Sequence, residues 1–159
     1  MNTVEPDINF MRLALKEAEK ASNEAEVPVG AVLVVDGEVV VSARNTRETA
    51  FDPTGHAELS AIREGAQKLK RWRLTDGTLY VTKEPCPMCA GAMINARLGR
   101  LVYGCGDVKG GAVANLYHLL SDSRLNHQVE VVSGVLEDEC GQLLKRFFAE
   151  RRGNKEDKE

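Results

Sequence analysis

Two short motifs, His56-Ala57-Glu58 and Pro85-Cys86-Pro87-Met88-Cys89, constrain this chain more than any other feature. Together they offer one imidazole, two thiols and a spare carboxylate, and the first three are side chains that hold zinc at tetrahedral sites. Three donors are one short of a closed structural site; catalytic zinc leaves that corner to water or substrate. Any fold must therefore bring a segment starting near residue 56 beside one starting near residue 86. The competing reading keeps Cys-x-x-Cys for structure alone and closes the shell with His118 or His127. The Glu two residues after the imidazole favours the reactive reading, because it leaves a carboxylate free to move protons.

The rest of the chain supplies elements to carry these motifs. Asp7 ahead of Phe10, Leu13, Ala14, Ala18 and Ala21 predicts an N-capped amphipathic helix. Val29 to Val35 and Glu38 to Arg44 are valine-rich and joined by Asp36-Gly37, which predicts a tight hairpin. Leu59, Ile62, Ala66 and Leu69 recur at helical spacing from about Gly55 to Lys70, with His56 and Glu58 in the opening turn. Gly77 to Val81 reads as a central strand leading to Pro85, which suits the first turn of the helix bearing Cys86 and Cys89. A strand at Leu101-Val102-Tyr103, a short helix from Ala112 to Leu120, a strand from Val129 to Val135 and a helix from Glu137 to Arg152 follow. This order predicts a mixed sheet with helices on both faces in one domain, 1–152, and a disordered charged tail, 153–159.

At 159 residues, 43% hydrophobic and 28% charged, the chain is sized for one water-soluble core. Its longest apolar run, Val27 to Val35, falls well short of the roughly 20 residues of a spanning helix, so no membrane partner is expected. No secretory or transit signal is visible in the first twenty residues, and the expected compartment is the cytoplasm. Cys105 and Cys140 lack partner spacing and read as buried small hydrophobes, as Met88 and Met93 read as core filling. The net charge of −3 hides basic clusters, one from Arg63 to Arg73 and one at Lys145, Arg146, Arg151 and Arg152.

Two helix starts meeting at one metal present unpaired amides and positive dipole ends, which predicts lowered thiol pKa values for Cys86 and Cys89. Zinc acidifies its water further. Glu58 then serves as a shuttle that takes a proton from water, gives it to a ring nitrogen and later passes one to a departing amine. That sequence of transfers is hydrolytic deamination.

These residues carry a family resemblance. Val27-Pro28-Val29-Gly30-Ala31-Val32, Asp52-Pro53-Thr54-Gly55-His56-Ala57-Glu58, Leu79-Tyr80-Val81-Thr82, Glu84 through Ile94 and the tail at Phe147-Phe148 resemble the bacterial tRNA adenosine deaminases of the cytidine deaminase superfamily. The resemblance runs from about Asp7 to Arg152 and departs from those relatives at Gly55 and Asn95-Ala96. It implies a three-layer α/β/α cytidine deaminase-like fold with a five-stranded mixed sheet. It also implies a homodimer with one Zn2+ per subunit that converts adenosine to inosine at the wobble position of an arginine tRNA anticodon stem-loop. Residue by residue, His56, Cys86 and Cys89 match the zinc ligands and Glu58 the proton shuttle. Asn45 matches a position holding the purine edge, Val29 one packing on the base, and the amides of Ala57 and Cys86 line the pocket. Asp107 matches a contact to the target ribose. Lys109, with Lys145, Arg146, Arg151 and Arg152, is expected to bind loop phosphates. The alternative is a deaminase of a free base or nucleoside such as guanine or cytosine, which shares the same zinc chemistry.

Overall fold

The chain, described over residues 4–156 in a computed structural model, builds one five-stranded sheet between two helical layers. Helix α1 (Val4–Asn23) is followed by β1 (Gly30–Val35), β2 (Glu38–Arg44), α2 (Ala57–Leu69), β3 (Gly77–Lys83), α3 (Pro87–Asn95), β4 (Arg100–Cys105), β5 (Glu130–Val132) and α4 (Glu137–Glu156). The strand order is β2-β1-β3-β4-β5. Asp36 and Gly37 both adopt positive φ, 52° and 76°, the turn whose twist matches a two-residue hairpin.

Strand direction explains why the two motifs meet. Strands β2 and β3 are each antiparallel to β1 and so run the same way. Both therefore deliver the chain to the same end of the sheet, β2 into the loop before α2 and β3 directly into α3. Strand β4 is parallel to β3, so the segment after Cys105 leaves at that end too.

Alternation along the strands separates the layers. Ala31, Leu33, Leu79, Val81 and Leu101 pack against Ala57, Ala61 and Ile62 of α2 and Ala90, Met93 and Ile94 of α3. Val32, Val34, Tyr80 and Val102 face the other way, against Met11 and Ala14 of α1 and Cys140 of α4. Cys105 and Cys140 are buried and unpaired, as their spacing suggested.

Five local expectations change. Asp7 does not cap α1: the helix starts before it, and its carboxylate is buried, taking Arg100 Nη1 and Nη2 at 2.9 and 2.7 Å and the Tyr80 hydroxyl at 2.7 Å. Pro85 is not in a helix; Cys86 is the N-cap of α3 and Pro87 takes the first turn, where its missing N–H leaves nothing unsatisfied. The expected helix from Ala112 to Leu120 is a chain of turns ending in one 3₁₀ turn at Leu119–Ser121, because its amides are drawn to a buried carboxylate described below. The last strand shrinks to Glu130–Val132, since Gly134 takes a positive φ of 83° that breaks the extended run. Helix α4 continues through Gly153 to Glu156, and residues 157–159 lie outside the described residues. Among the described residues no helix is long and apolar enough to cross a membrane.

Candidate active site

The three expected donors converge. His56, the N-cap of α2, directs Nδ1 to within 3.5 Å of Cys86 Sγ and 3.6 Å of Cys89 Sγ. A tetrahedral zinc ion, with Zn–N about 2.0 Å and Zn–S about 2.3 Å, sets N···S edges of roughly 3.5 Å, so the three side chains fit that ion. Among the described residues this is the one group of His, Cys, Asp and Glu side chains close enough to share a metal. His127 does not complete a shell: its Nε2 donates to the Leu98 carbonyl at 2.8 Å. His118 stays exposed before the 3₁₀ turn.

Charge in this cluster is divided unevenly. Hydrogen bonding from Cys89, opposed by burial and aided by His56, pulls the Cys86 thiol down to about 4. The Cys89 thiol moves upward instead, through its bond to Cys86, its burial and the nearby Glu58 carboxylate. The two helix starts are thus matched by one lowered thiol and not two, because Cys89 donates to the Cys86 sulfur and lies beside the Glu58 carboxylate. The Cys86 contact, against burial, raises the His56 imidazole above its ordinary value. Glu58, 4% exposed, has its carboxyl pushed up chiefly by burial, which suits a group that must both accept and release a proton.

The donors open onto a cavity of about 260 Å³ whose wall includes Val29, Asn45, His56, Ala57, Glu58, Cys86 and Asp107. Every one of these was singled out from sequence. Asn45 is buried and pinned, its Nδ2 donating to the Val27 carbonyl at 3.2 Å while its Oδ1 accepts the Arg47 N–H at 3.1 Å. Cys89 sits behind the cavity, fully buried.

Lys109 is exposed on the loop after β4 and is not part of the wall. Helix α4 reaches the cavity through Phe148. At helical spacing Lys145, Arg151 and Arg152 flank that residue, and Arg151 also lies 5.0 Å over the Phe147 ring. Arg146 turns the other way, into a groove shared with Glu19 of α1.

Val27, Glu84 and Phe148 stand in the wall although the stretches quoted for the resemblance gave them no site role, and Arg47, Lys83 and the buried Glu26 were not singled out from sequence. Glu26 is fully buried and accepts the Glu48 N–H at 2.7 Å and the Thr49 N–H at 3.3 Å, fixing the loop that presents Asn45 and Arg47. Lys83 Nζ meets Asp107 Oδ2 at 3.1 Å. Burial raises the Asp107 carboxyl, but Lys83 and the N–H groups of Lys109 and Gly110 outweigh it and hold it below the usual carboxylate range. Acidic residues set directly against proline-flanked motifs, as Glu26 and Glu84 are, were the one available signal; Arg47 and Lys83 had none.

Residues 6–152 match the family model of the MafB19-like deaminases. The chain is 52% identical over 146 residues to the tRNA-specific adenosine deaminase of Bacillus subtilis, covering 92% of this chain and 91% of that one. It is 47% identical over 150 residues to the tRNA-specific adenosine deaminase of Haemophilus influenzae, covering 94% and 87%. A solved structure from studies of A-to-I editing by tRNA:A34 deaminases at the wobble position of transfer RNA superposes with a TM-score of 0.83 at 45% identity, covering 86% of this chain and 99% of that one. With a His-Cys-Cys group that could hold a metal, a buried glutamate and a three-layer fold, the chain belongs to the deaminase family, among the tRNA-specific adenosine deaminases.

Proposed function

We propose that this protein is a zinc-dependent hydrolase that converts adenosine to inosine at the wobble position of a tRNA anticodon, an arginine tRNA being the substrate. The observation that carries this reading is the buried Glu58 carboxylate sharing one cavity with His56, Cys86 and Asn45, in a chain of this family. His56, Cys86 and Cys89 would hold the ion, one per subunit, which when bound supplies the Lewis acidity that makes water a nucleophile at neutral pH. Glu58 takes the proton of that water and delivers it to the purine ring nitrogen beside the attacked carbon. It then takes the proton of the hydroxyl added to that carbon and passes it to the amino group, so that the C–N bond breaks, ammonia leaves and a carbonyl remains.

The other wall residues bind and orient. Asn45, held by two backbone bonds, keeps one N–H and one lone pair for the purine edge. Val29 packs on the base, and the amides of Ala57 and Cys86 face it from two helix starts. Asp107 accepts the ribose 2′-hydroxyl, which is one way to prefer RNA over DNA. The target nucleotide has to leave its stack, at about a few kcal/mol. Phosphate contacts from Lys109, Lys145, Arg151 and Arg152 offset that cost, with Arg146 contributing from its groove.

A second copy completes the assembly: Leu116, Tyr117 and Leu125 stay exposed on the segment after β4, which supports a homodimer. The four free thiols suit the reducing cytoplasm. The test is incubation of zinc-loaded protein with an anticodon stem-loop bearing adenosine at the wobble position, beside free adenosine, guanine and cytosine. Inosine should appear in the stem-loop. Turnover of a free base with none of the stem-loop would overturn the reading in favour of a free-base deaminase.

A further inference from the structure

Glu84 is 2% exposed and immediately precedes Pro85-Cys86, yet no step above uses it. Its carboxylate is surrounded by donors from the loop after β4. Oε1 accepts the Asp107 N–H at 3.1 Å and the Asn115 side-chain amide. Oε2 accepts the N–H groups of Val113, Ala114 and Asn115 at 3.1, 2.9 and 3.1 Å. All five partners donate, so the position calls for a group that only accepts, which a carboxylate is and an amide is not. Gly111 passes so close that a Cβ there would collide with the carboxylate.

The segment from Asp107 to Asn115 is thus wrapped round one buried anion. Asp107 stands at its head and faces the cavity. Its backbone is fixed by Glu84, while its side chain is fixed by Lys83 on Oδ2 and by the N–H groups of Lys109 and Gly110 on Oδ1. A buried acceptor one residue before the Pro-Cys motif therefore ties the ribose-facing wall to the link between β3 and α3, the helix whose start carries the thiols.

We infer that Glu84 is a positioning residue that sets the preference for a ribose over a deoxyribose target by holding Asp107 in place. This rests on the proposed contact of Asp107 with the 2′-hydroxyl. Glu84→Gln, Asp107→Asn and the double variant are compared on a stem-loop with adenosine at the target and on the same stem-loop with a single 2′-deoxyadenosine there. The readouts are the ribo-to-deoxy ratio of kcat/KM, the split between KM and kcat, zinc content and the melting curve. Asp107→Asn should lower the ratio about tenfold, the scale of one lost hydrogen bond to a charged group. Glu84→Gln should lower it to within about twofold of that, mainly through KM, and the double variant should fall no further than Asp107→Asn alone. Asn115→Ala, which removes one donor from Oε1 at an exposed position, should shift the ratio part of the way, and it decides the matter if Glu84→Gln does not fold.

An unchanged ratio in folded Glu84→Gln, or in Asn115→Ala where the first variant does not fold, overturns the inference. An unchanged ratio in Asp107→Asn overturns it together with the Asp107 contact. Failure of the unaltered protein to deaminate either stem-loop overturns the tRNA reading itself, and with it this role.

Discussion

Lys83 Nζ lies 3.1 Å from Asp107 Oδ2, and both side chains face the cavity that holds Glu58. The pair is partly exposed and adds little to stability, on the order of 0–1 kcal/mol. Its importance is positional, since Lys83 and Arg47 are the cations of that wall apart from His56. Lys83→Met should raise KM for the stem-loop about three- to tenfold and reduce the log-log salt slope by about 1, with kcat little changed. Steady-state kinetics at several salt concentrations checks this; an unchanged slope would leave Lys83 as the partner of Asp107 alone.

Glu58 is no ligand in this geometry. Glu58→Ala should keep its zinc and lose kcat by about 10²- to 10⁴-fold, the usual share of general acid-base catalysis. Metal analysis of the purified variant beside an inosine assay gives the answer, and retained deamination would take Glu58 out of the mechanism.

The three ligands should load zinc with a clear pH dependence. Cys86 is lowered to about 4 and is already a thiolate near neutrality, whereas Cys89 is shifted upward and keeps its proton. Metal requires both sulfurs deprotonated and an imidazole nitrogen free. Loading therefore releases the Cys89 proton, and a second from His56 at pH values below that group's pKa, itself raised above 6.5. Apparent affinity should climb about tenfold per pH unit above the His56 transition and more steeply below it. Competition with a chromophoric chelator across that range measures the slope.

How far the sequence could be read follows from what each element depends on. The hairpin was visible because Asp36-Gly37 accepts two positive φ angles that few dipeptides do. The convergence of His56, Cys86 and Cys89 was legible because residue types and spacings that suit a shared metal require it. The stretch from Ala112 to Leu120 was misread as a helix because the force shaping it comes from Glu84, some 30 residues earlier in the chain. Asp7 was misread as a cap for the same reason: its partners, Tyr80 and Arg100, are 73 and 93 residues away. Local patterns cannot show a buried carboxylate whose donors are remote in sequence.

That Asp7 network should dominate one stability phenotype. Asp7→Asn leaves Arg100 with only the exposed Glu130 carboxylate, 4.0 Å away, and should cost about 3 kcal/mol at neutral pH. Burial alone would raise the Asp7 carboxyl, but Arg100 and Tyr80 bring it below its ordinary 3.8. Its stabilisation is thus fully present above 3.8 and is lost as pH falls through the lower, folded value. Urea melts of the two proteins should differ widely at neutral pH and converge in acid.

His56 and Cys86 are 30 residues apart in the chain, and only the folded sheet end brings them together. An ion gripping both would close a loop around α2 and β3 that folding has already closed, so binding it would cost the native chain little entropy. It also favours the folded form by mass action, since the assembled triad exists only there. Chelation would then do more than stop turnover: it would leave a protein with a lower Tm, so that metal supply governs how much of the enzyme survives as well as how fast it works.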